Sequence, residues 1–229
     1  MDRKLMRYVF YKVDPAWRRL GDEERALHKK ELADVVAGAT VDVHTYSTVA
    51  MRADSELALW IIAEGPEPIQ DFQSSINGTS LGRYLHTSYS YLALTRKSQY
   101  LKGHKHEGQE FNMPAGPKGS PYLFVYPMDK QRRWYKVPFE ERRKIMGEHF
   151  KIGHRYPNVA IHTGYSFGID DQEFVVAFEG SSLGEFLDLV EELRGSESSA
   201  YTQRDVPIFT CVKMPIEKIL DQLDGAANN

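Results

Sequence analysis

The sequence predicts an α+β protein built from two tandem ferredoxin-like halves. Two observations predict this fold class. The order of elements β-α-β-β-α-β occurs twice along the 229 residues, and a stretch rich in glycine and proline separates the two copies. We expect the two sheets to pack face to face with the helices outside, as in a dimeric α+β barrel. The predicted division is an amino-terminal half over residues 1–100, a connecting loop over 101–121, and a carboxy-terminal half over 122–229.

The first half contains four predicted strands and two predicted helices. Strands are expected at residues 7–13, 41–50, 58–63 and 89–95. A helix is expected within residues 14–38, because Leu27, Leu32, Val35 and Val36 recur near helical spacing and Gly38 can end it. Gly65, Pro66 and Pro68 break the chain before a second helical stretch at 69–85. Residues 103–121 then contain four of the 17 glycines and three of the 11 prolines, which predicts a loop.

The same order returns in the second half. Strands are expected at residues 122–126, 159–168, 173–179 and 206–214, and helices at 138–152 and 181–195. The helix at 181–195 places five apolar side chains on one face: Leu183, Phe186, Leu187, Val190 and Leu193. A short helix at 216–223 is expected to end the fold.

Composition excludes several classes of function. The formal charge of −3 leaves no basic excess for binding a nucleic acid. The single cysteine, Cys211, excludes a disulfide framework or a zinc site built from cysteines, and fits a reducing cytoplasm. No apolar run approaches the roughly 20 residues that a membrane helix needs. The charged amino terminus is not a signal peptide, so we expect a cytoplasmic protein.

His149 is the first candidate for chemistry. It lies four residues after Ile145 and three after Met146, so the predicted helix places it on an apolar face. Such a histidine is either a core residue with a satisfied ring or an axial ligand of haem iron. The pair His104 and His106 in GHKHEG either binds a metal weakly or lies in a solvated loop.

The second candidate is the motif YPMDK, which brings Tyr126 and Lys130 close together at the end of a predicted strand. The residues that follow are basic and aromatic: Arg132, Arg133, Trp134 and Tyr135. A cluster of this kind suits a planar ligand that carries carboxylates. The alternative is a turn at a strand end with a solvated run of charges.

Several of these segments resemble, in order, the chlorite dismutase-like haem protein family. The segments are YPMDK, EERRKIMGEH, GHRYPNV and LRGSESSAY, and the likeness extends over nearly the whole chain. The match is best to the coproheme decarboxylase branch, which acts in haem synthesis. The resemblance implies that His149 is the proximal iron ligand and that the carboxylate of Glu197 hydrogen-bonds its other ring nitrogen. It implies that Tyr126 becomes a radical and that Lys130 lies beside the propionates.

Further positions follow from the same resemblance. Met128, Trp134 and Ser199 are expected to contact the porphyrin. The distal residue of true chlorite dismutases is an arginine, and its position falls on Ala160, which disfavours chlorite chemistry. The catalytic distal base is then expected from the loop, with His106 as the candidate and His104 and Gln109 as alternatives. An arginine of that loop that binds propionate has no counterpart, and Asn112 is nearest by spacing.

The resemblance implies a function as well. The substrates are expected to be iron coproporphyrin III and hydrogen peroxide, and the product haem b. The alternatives are a chlorite dismutase and a haem-binding protein without catalysis. Members of the family are usually homopentamers, so we expect a homo-oligomer.

Overall fold

A computed structural model describes residues 3–101 and 116–225. The chain divides into two compact units. One unit contains the residues up to Leu94 together with those from Phe209 onward, and the other is Thr95–Ile208. Within each unit the order β-α-β-β-α-β occurs, so the predicted α+β class and the ferredoxin-like order are confirmed.

The first unit contains an antiparallel sheet and three α-helices in its described residues. Its elements are β1 (Leu5–Val13), α1 (Asp22–Ala37), β2 (Asp42–Ser47), β3 (Leu57–Ala63), α2 (Pro66–Gly78), β4 (Leu85–Thr95), β9 (Phe209–Lys213) and α5 (Ile216–Asp224). The strand order is β4-β1-β3-β2-β9. One face of the sheet packs on the helices around a buried core that includes Val9, Leu59, Ile61, Phe72 and Leu220.

Two helices of this unit differ from their predicted bounds. The helix α1 begins at Asp22, because Trp17–Arg19 forms a separate short 3-10 helix and Gly21 is extended. The helix α2 begins at Pro66, which suits a first turn because proline has no N–H to leave unpaired, and it ends at Gly78. Gly82–Tyr84 then forms a 3-10 helix, and β4 begins at Leu85, the last residue that the sequence assigned to the helix.

The second unit contains β5 (Tyr122–Lys130), α3 (Phe139–Gly153), β6 (Ala160–Tyr165), β7 (Phe174–Gly180), α4 (Leu183–Arg194) and β8 (Thr202–Arg204). Its antiparallel sheet has the order β6-β7-β5-β8. The helix α4 is capped by Ser182, whose hydroxyl accepts a hydrogen bond from the Glu185 N–H. Both helices pack on one face of this sheet.

The closing strand of the second unit was predicted wrongly. The strand at Phe209–Lys213 pairs with β2 of the first unit, with Tyr46 opposite Lys213 and Ser47 opposite Val212. The helix α5 follows it and buries Ile219, Leu220 and Leu223 in the first core. The three-residue strand β8 lies beside β5. The carboxy-terminal segment therefore groups with the first unit, although the sequence division placed it in the second half.

The strand β5 is longer than predicted. It continues through Pro127 to Lys130, so the motif YPMDK lies within the strand and does not leave its end. None of the described helices is long and apolar enough to span a membrane.

Candidate functional site

The strand β5 is the platform of the site. Successive side chains of a strand point to opposite faces, so Tyr126 shares a face with Phe124 and Met128. This face packs on the helices, with Val176 and Phe178 of β7 beside it and Phe186 of α4 against it. The aromatic rings of Phe124 and Phe186 stack with centroids 3.7 Å apart. Burial of this apolar layer fixes which side of β5 carries the tyrosine.

A cavity of about 450 Å³ lies beside Tyr126. Its wall is mostly apolar, with two charged residues: the lining residues are Tyr126, Phe186, Leu187, Val190, Glu191, Arg194 and Ile208. The volume is within the range of about 300–1,000 Å³ that ligand sites occupy. Leu187 is 61% exposed and Ile208 is 38% exposed, so an apolar ligand would cover surface that now faces solvent.

The Tyr126 phenol is protonated at any physiological pH. Burial raises the pKa of this hydroxyl well above its usual range, and the nearby Asp205 carboxylate raises it further, while Arg194 opposes both. Among the described residues no hydrogen bond to the Tyr126 hydroxyl is found. The cavity therefore presents a neutral phenol that retains its proton.

The imidazole of His149 is neutral and is held at one nitrogen. The Ser198 hydroxyl lies 3.2 Å from His149 Nδ1. Burial lowers the pKa of His149 to about 4, and the charge of Lys130 lowers it in the same direction. When Nδ1–H donates to the Ser198 hydroxyl, Nε2 carries the lone pair and is the electron-pair donor.

Lys130 links the tyrosine strand to the histidine. Its ammonium donates to the Ser198 carbonyl oxygen at 2.8 Å and to the Thr202 hydroxyl at 3.2 Å. It also lies 5.5 Å from the centroid of the Trp134 ring. Burial lowers the pKa of Lys130 to about 8, although Asp205 and Glu173 act to raise it. The ammonium of Lys130 therefore loses its proton more readily than that of an exposed lysine.

Acidic residues fix the end of β5. The buried Glu173 carboxylate accepts the Lys130 N–H at 2.9 Å and the Arg132 guanidinium at 3.1 Å, and the Tyr135 hydroxyl also donates to it. Asp129 accepts the Glu173 N–H at 2.8 Å. These bonds tie β5 to the start of β7 and set where Lys130 leaves the strand.

The structure brings most of the sequence-predicted residues together. Tyr126, Met128 and Lys130 lie on β5, and Trp134 is buried just after it. Trp134 packs on Tyr201 with centroids 5.0 Å apart.

Two predicted residues lie on the short 3-10 helix Glu197–Tyr201 that packs against α3. Glu197 is exposed, and its N–H donates to the Glu148 carboxylate at 3.5 Å. Ser199 is half-buried, with its N–H bonded to the Ser196 carbonyl. The partner found at His149 is thus Ser198, the residue after the predicted Glu197. The sequence does not distinguish Ser198 from the neighbouring serines. Only the register of the 3-10 helix shows that Ser198 is the serine that faces His149.

The residues expected on the other side of the iron from His149 are only partly among the described residues. His106, His104, Gln109 and Asn112 lie outside the described residues. On β6, Ala160 lies opposite Glu179 and Thr163 lies opposite Val176. Ala160 and Thr163 are an odd number of positions apart, so their side chains point to opposite faces of the sheet. Val176 is in turn opposite Tyr126. Ala160 therefore points to the sheet face away from Tyr126. The strand β6 presents Ile161 and Thr163 to the Tyr126 face.

The residues present fit a haem group. A neutral histidine with a free Nε2 suits an axial position, and an apolar cavity suits a macrocycle. The cations Lys130 and Arg194 suit carboxylates at its edge. Sequence reasoning did not single out Ser198, Glu173, Arg194 or Asp205, since none of them lies in a recognisable spacing. Among the described residues, no group of three or more histidine, cysteine or acidic residues forms a separate metal site.

The fold and the site together define an α+β protein of two ferredoxin-like units, whose second unit contains a buried neutral histidine and an apolar, tyrosine-lined cavity. Comparison with known proteins identifies the family. Residues 20–214 match the model of the chlorite dismutase family, and the chain belongs to this family.

Relatives support the assignment. The coproheme decarboxylase of Mycolicibacterium smegmatis is 30% identical over 182 residues, which are 78% of this chain and 75% of that protein. A mutant of the chlorite dismutase of Candidatus Nitrospira defluvii has a TM-score of 0.89 at 24% identity, covering 96% of this chain and 95% of that one. The same enzyme in complex with imidazole has a TM-score of 0.87 at 23% identity, with the same coverage. These structures establish the fold.

Proposed function

We propose that the protein decarboxylates two propionates of iron coproporphyrin III with hydrogen peroxide and so produces haem b. The observation that carries the proposal is a neutral, buried Tyr126 phenol in the wall of an apolar cavity that also holds Arg194. The likeness to a coproheme decarboxylase supports the same reaction.

His149 would hold the substrate iron through Nε2. The Ser198 hydroxyl at Nδ1 fixes the orientation of the ring, and the low pKa keeps the ring unprotonated when iron arrives. Once bound there, the iron porphyrin supplies, with peroxide, the oxidising equivalents of the reaction. The chain provides position, charge and a hydrogen-atom carrier.

Tyr126 is the hydrogen-atom carrier. Its phenol gives up one electron and one proton together, and the resulting tyrosyl radical takes a hydrogen atom from the β-carbon of the nearest propionate. Loss of CO2 and a second electron then leaves a vinyl group. A phenol that stays protonated suits this role, because a phenolate has no hydrogen atom to give up.

The remaining residues position the substrate. We assign Lys130 to neutralising a propionate, and Met128, Trp134 and Ser199 to contacts with the macrocycle and its edge. Glu197 remains a candidate for a second polar contact near His149. His106, with His104 and Gln109 as alternatives, is our candidate for the distal base that takes the proton of peroxide.

The reaction is tested by adding iron coproporphyrin III and hydrogen peroxide to the purified protein and following the porphyrin by mass. Stepwise loss of two CO2 masses is expected. An unchanged porphyrin would contradict the proposal and favour a haem-binding protein without catalysis. Oxygen release from chlorite, measured on the protein loaded with haem b, would instead favour the chlorite dismutase reaction.

We also propose that the protein assembles as a homo-oligomer, with five copies as the expectation from the family resemblance. Sedimentation of the purified protein is expected to give about five times the mass of one 26.3 kDa chain. A monomeric mass would contradict this.

A further inference from the structure

Arg194 and Asp205 form an ion pair at the cavity. Arg194 is the last residue of α4, and Asp205 follows β8 directly. The guanidinium of Arg194 contacts the Asp205 carboxylate, with the two side chains 50% and 21% exposed. An ion pair that is this exposed is weak, so a competing carboxylate can replace one partner.

The pair is part of the reaction site. Arg194 and Tyr126 line the same cavity. The Asp205 carboxylate acts electrostatically on two groups of the site, the Tyr126 phenol and the Lys130 ammonium. In the free protein, Asp205 therefore pairs with the arginine of the cavity wall. The proposed substrate carries four carboxylates that compete for the same arginine.

We propose that Asp205 holds Arg194 in the free protein until a propionate of the iron porphyrin displaces it. This inference rests on the proposed function. It makes Asp205 an internal competitor for the arginine that binds a propionate.

The first test measures binding without peroxide. Iron coproporphyrin III is titrated into the parent, Asp205→Asn and Arg194→Gln proteins and followed by absorbance. Removing the internal competitor is expected to tighten binding about two- to fivefold in Asp205→Asn, the range of a partly exposed ion pair. Arg194→Gln is expected to weaken binding about tenfold.

The matched control is Glu192→Gln, a change on the same helix as Arg194 that breaks the exposed pair of Glu192 with Arg155. It is expected to bind like the parent. Equal or weaker binding by Asp205→Asn would overturn the exchange.

The second test asks whether the competition acts through Arg194. The double variant Arg194→Gln with Asp205→Asn is expected to bind iron coproporphyrin III within about twofold of Arg194→Gln alone, because the two carboxylates no longer share a partner. A tightening as large as that of Asp205→Asn in the parent would overturn the exchange. If the parent itself leaves the porphyrin unchanged when peroxide is added, the proposed function fails, and the binding titration still decides whether Asp205 and the porphyrin compete for Arg194.

Discussion

The Ser198 hydroxyl lies 3.2 Å from Nδ1 of His149, and the Ser198 carbonyl accepts the ammonium of Lys130 at 2.8 Å. One residue therefore ties the proposed iron ligand to the proposed propionate partner. Because Ser198 is itself buried, both bonds form in a site where water competes poorly.

Replacing Ser198 with alanine removes the contact at Nδ1 and leaves the turn intact. We expect about tenfold weaker binding of iron coproporphyrin III, since partners of a ligating histidine contribute about 10–100-fold to affinity. Absorbance titration measures it. Ser74→Ala, which removes an exposed hydroxyl on α2 of the first unit, is the control and is expected to bind like the parent. Parental affinity in Ser198→Ala together with an unchanged iron spectrum would refute the role of Ser198.

Replacing His149 with alanine should remove the axial bond. Binding is expected to fall by more than about a hundredfold, a larger loss than that of a supporting partner, and added imidazole should restore the iron spectrum. His154→Ala, an exposed histidine at the end of the same helix, is expected to bind like the parent. An unchanged five-coordinate spectrum in His149→Ala would remove His149 from the account.

The affinity for the anionic porphyrin should depend on pH through Lys130. Burial depresses the pKa of Lys130 to about 8, so the ammonium is charged below that pH and becomes neutral as the pH rises through it. Binding is expected to weaken from about pH 8 upward, and Lys130→Met should bind less tightly at pH 7 and lose this dependence. Titrations at pH 6 to 10 measure it. The same pH dependence in both proteins would show that another group is responsible.

The buried carboxylate of Glu179 should contribute to stability. It accepts the ring of His162 at 2.8 Å and the Gly119 N–H at 3.1 Å, and the Lys118 N–H also donates to it. Glu179→Gln replaces one acceptor with a donor, so we expect a loss of about 1–3 kcal/mol in the free energy of unfolding. Denaturant unfolding measures it. Asp188→Asn, an exposed change on α4, is expected to cost less than about 0.5 kcal/mol. A loss for Glu179→Gln as small as that of the control would contradict the assignment.

The sequence predicted the fold class and the candidate site to different extents. Periodicity located the strands and most helices, because alternation and helical spacing are local properties. The pairing of Phe209–Lys213 with β2 was missed, since nothing local distinguishes a strand that closes one unit from a strand that joins the other. The carboxy-terminal helix α5 packs in the core of the first unit, whose other residues are far from it in the sequence.

The site shows the same division. Tyr126, Lys130 and His149 were identified through motifs, whereas Ser198 and Asp205 depend on the register of a short turn and on an ion pair between residues far apart in sequence. The expected distal position at Ala160 depends on register in the same way, because a shift of one residue in a strand moves a side chain to the opposite face.

The central claim is that Tyr126 carries the hydrogen atom, and Tyr126→Phe tests it most directly. The measurement is the rate at which iron coproporphyrin III loses CO2 after peroxide is added. Tyr122→Phe, which removes a hydroxyl from the same face of the same strand, is the control. The account predicts parental porphyrin binding in both variants, a parental rate in Tyr122→Phe, and at least a hundredfold loss of rate in Tyr126→Phe, within the range of about 10²–10⁴ for a positioned proton-transfer group. Conversion to haem b by Tyr126→Phe at the parental rate would contradict it.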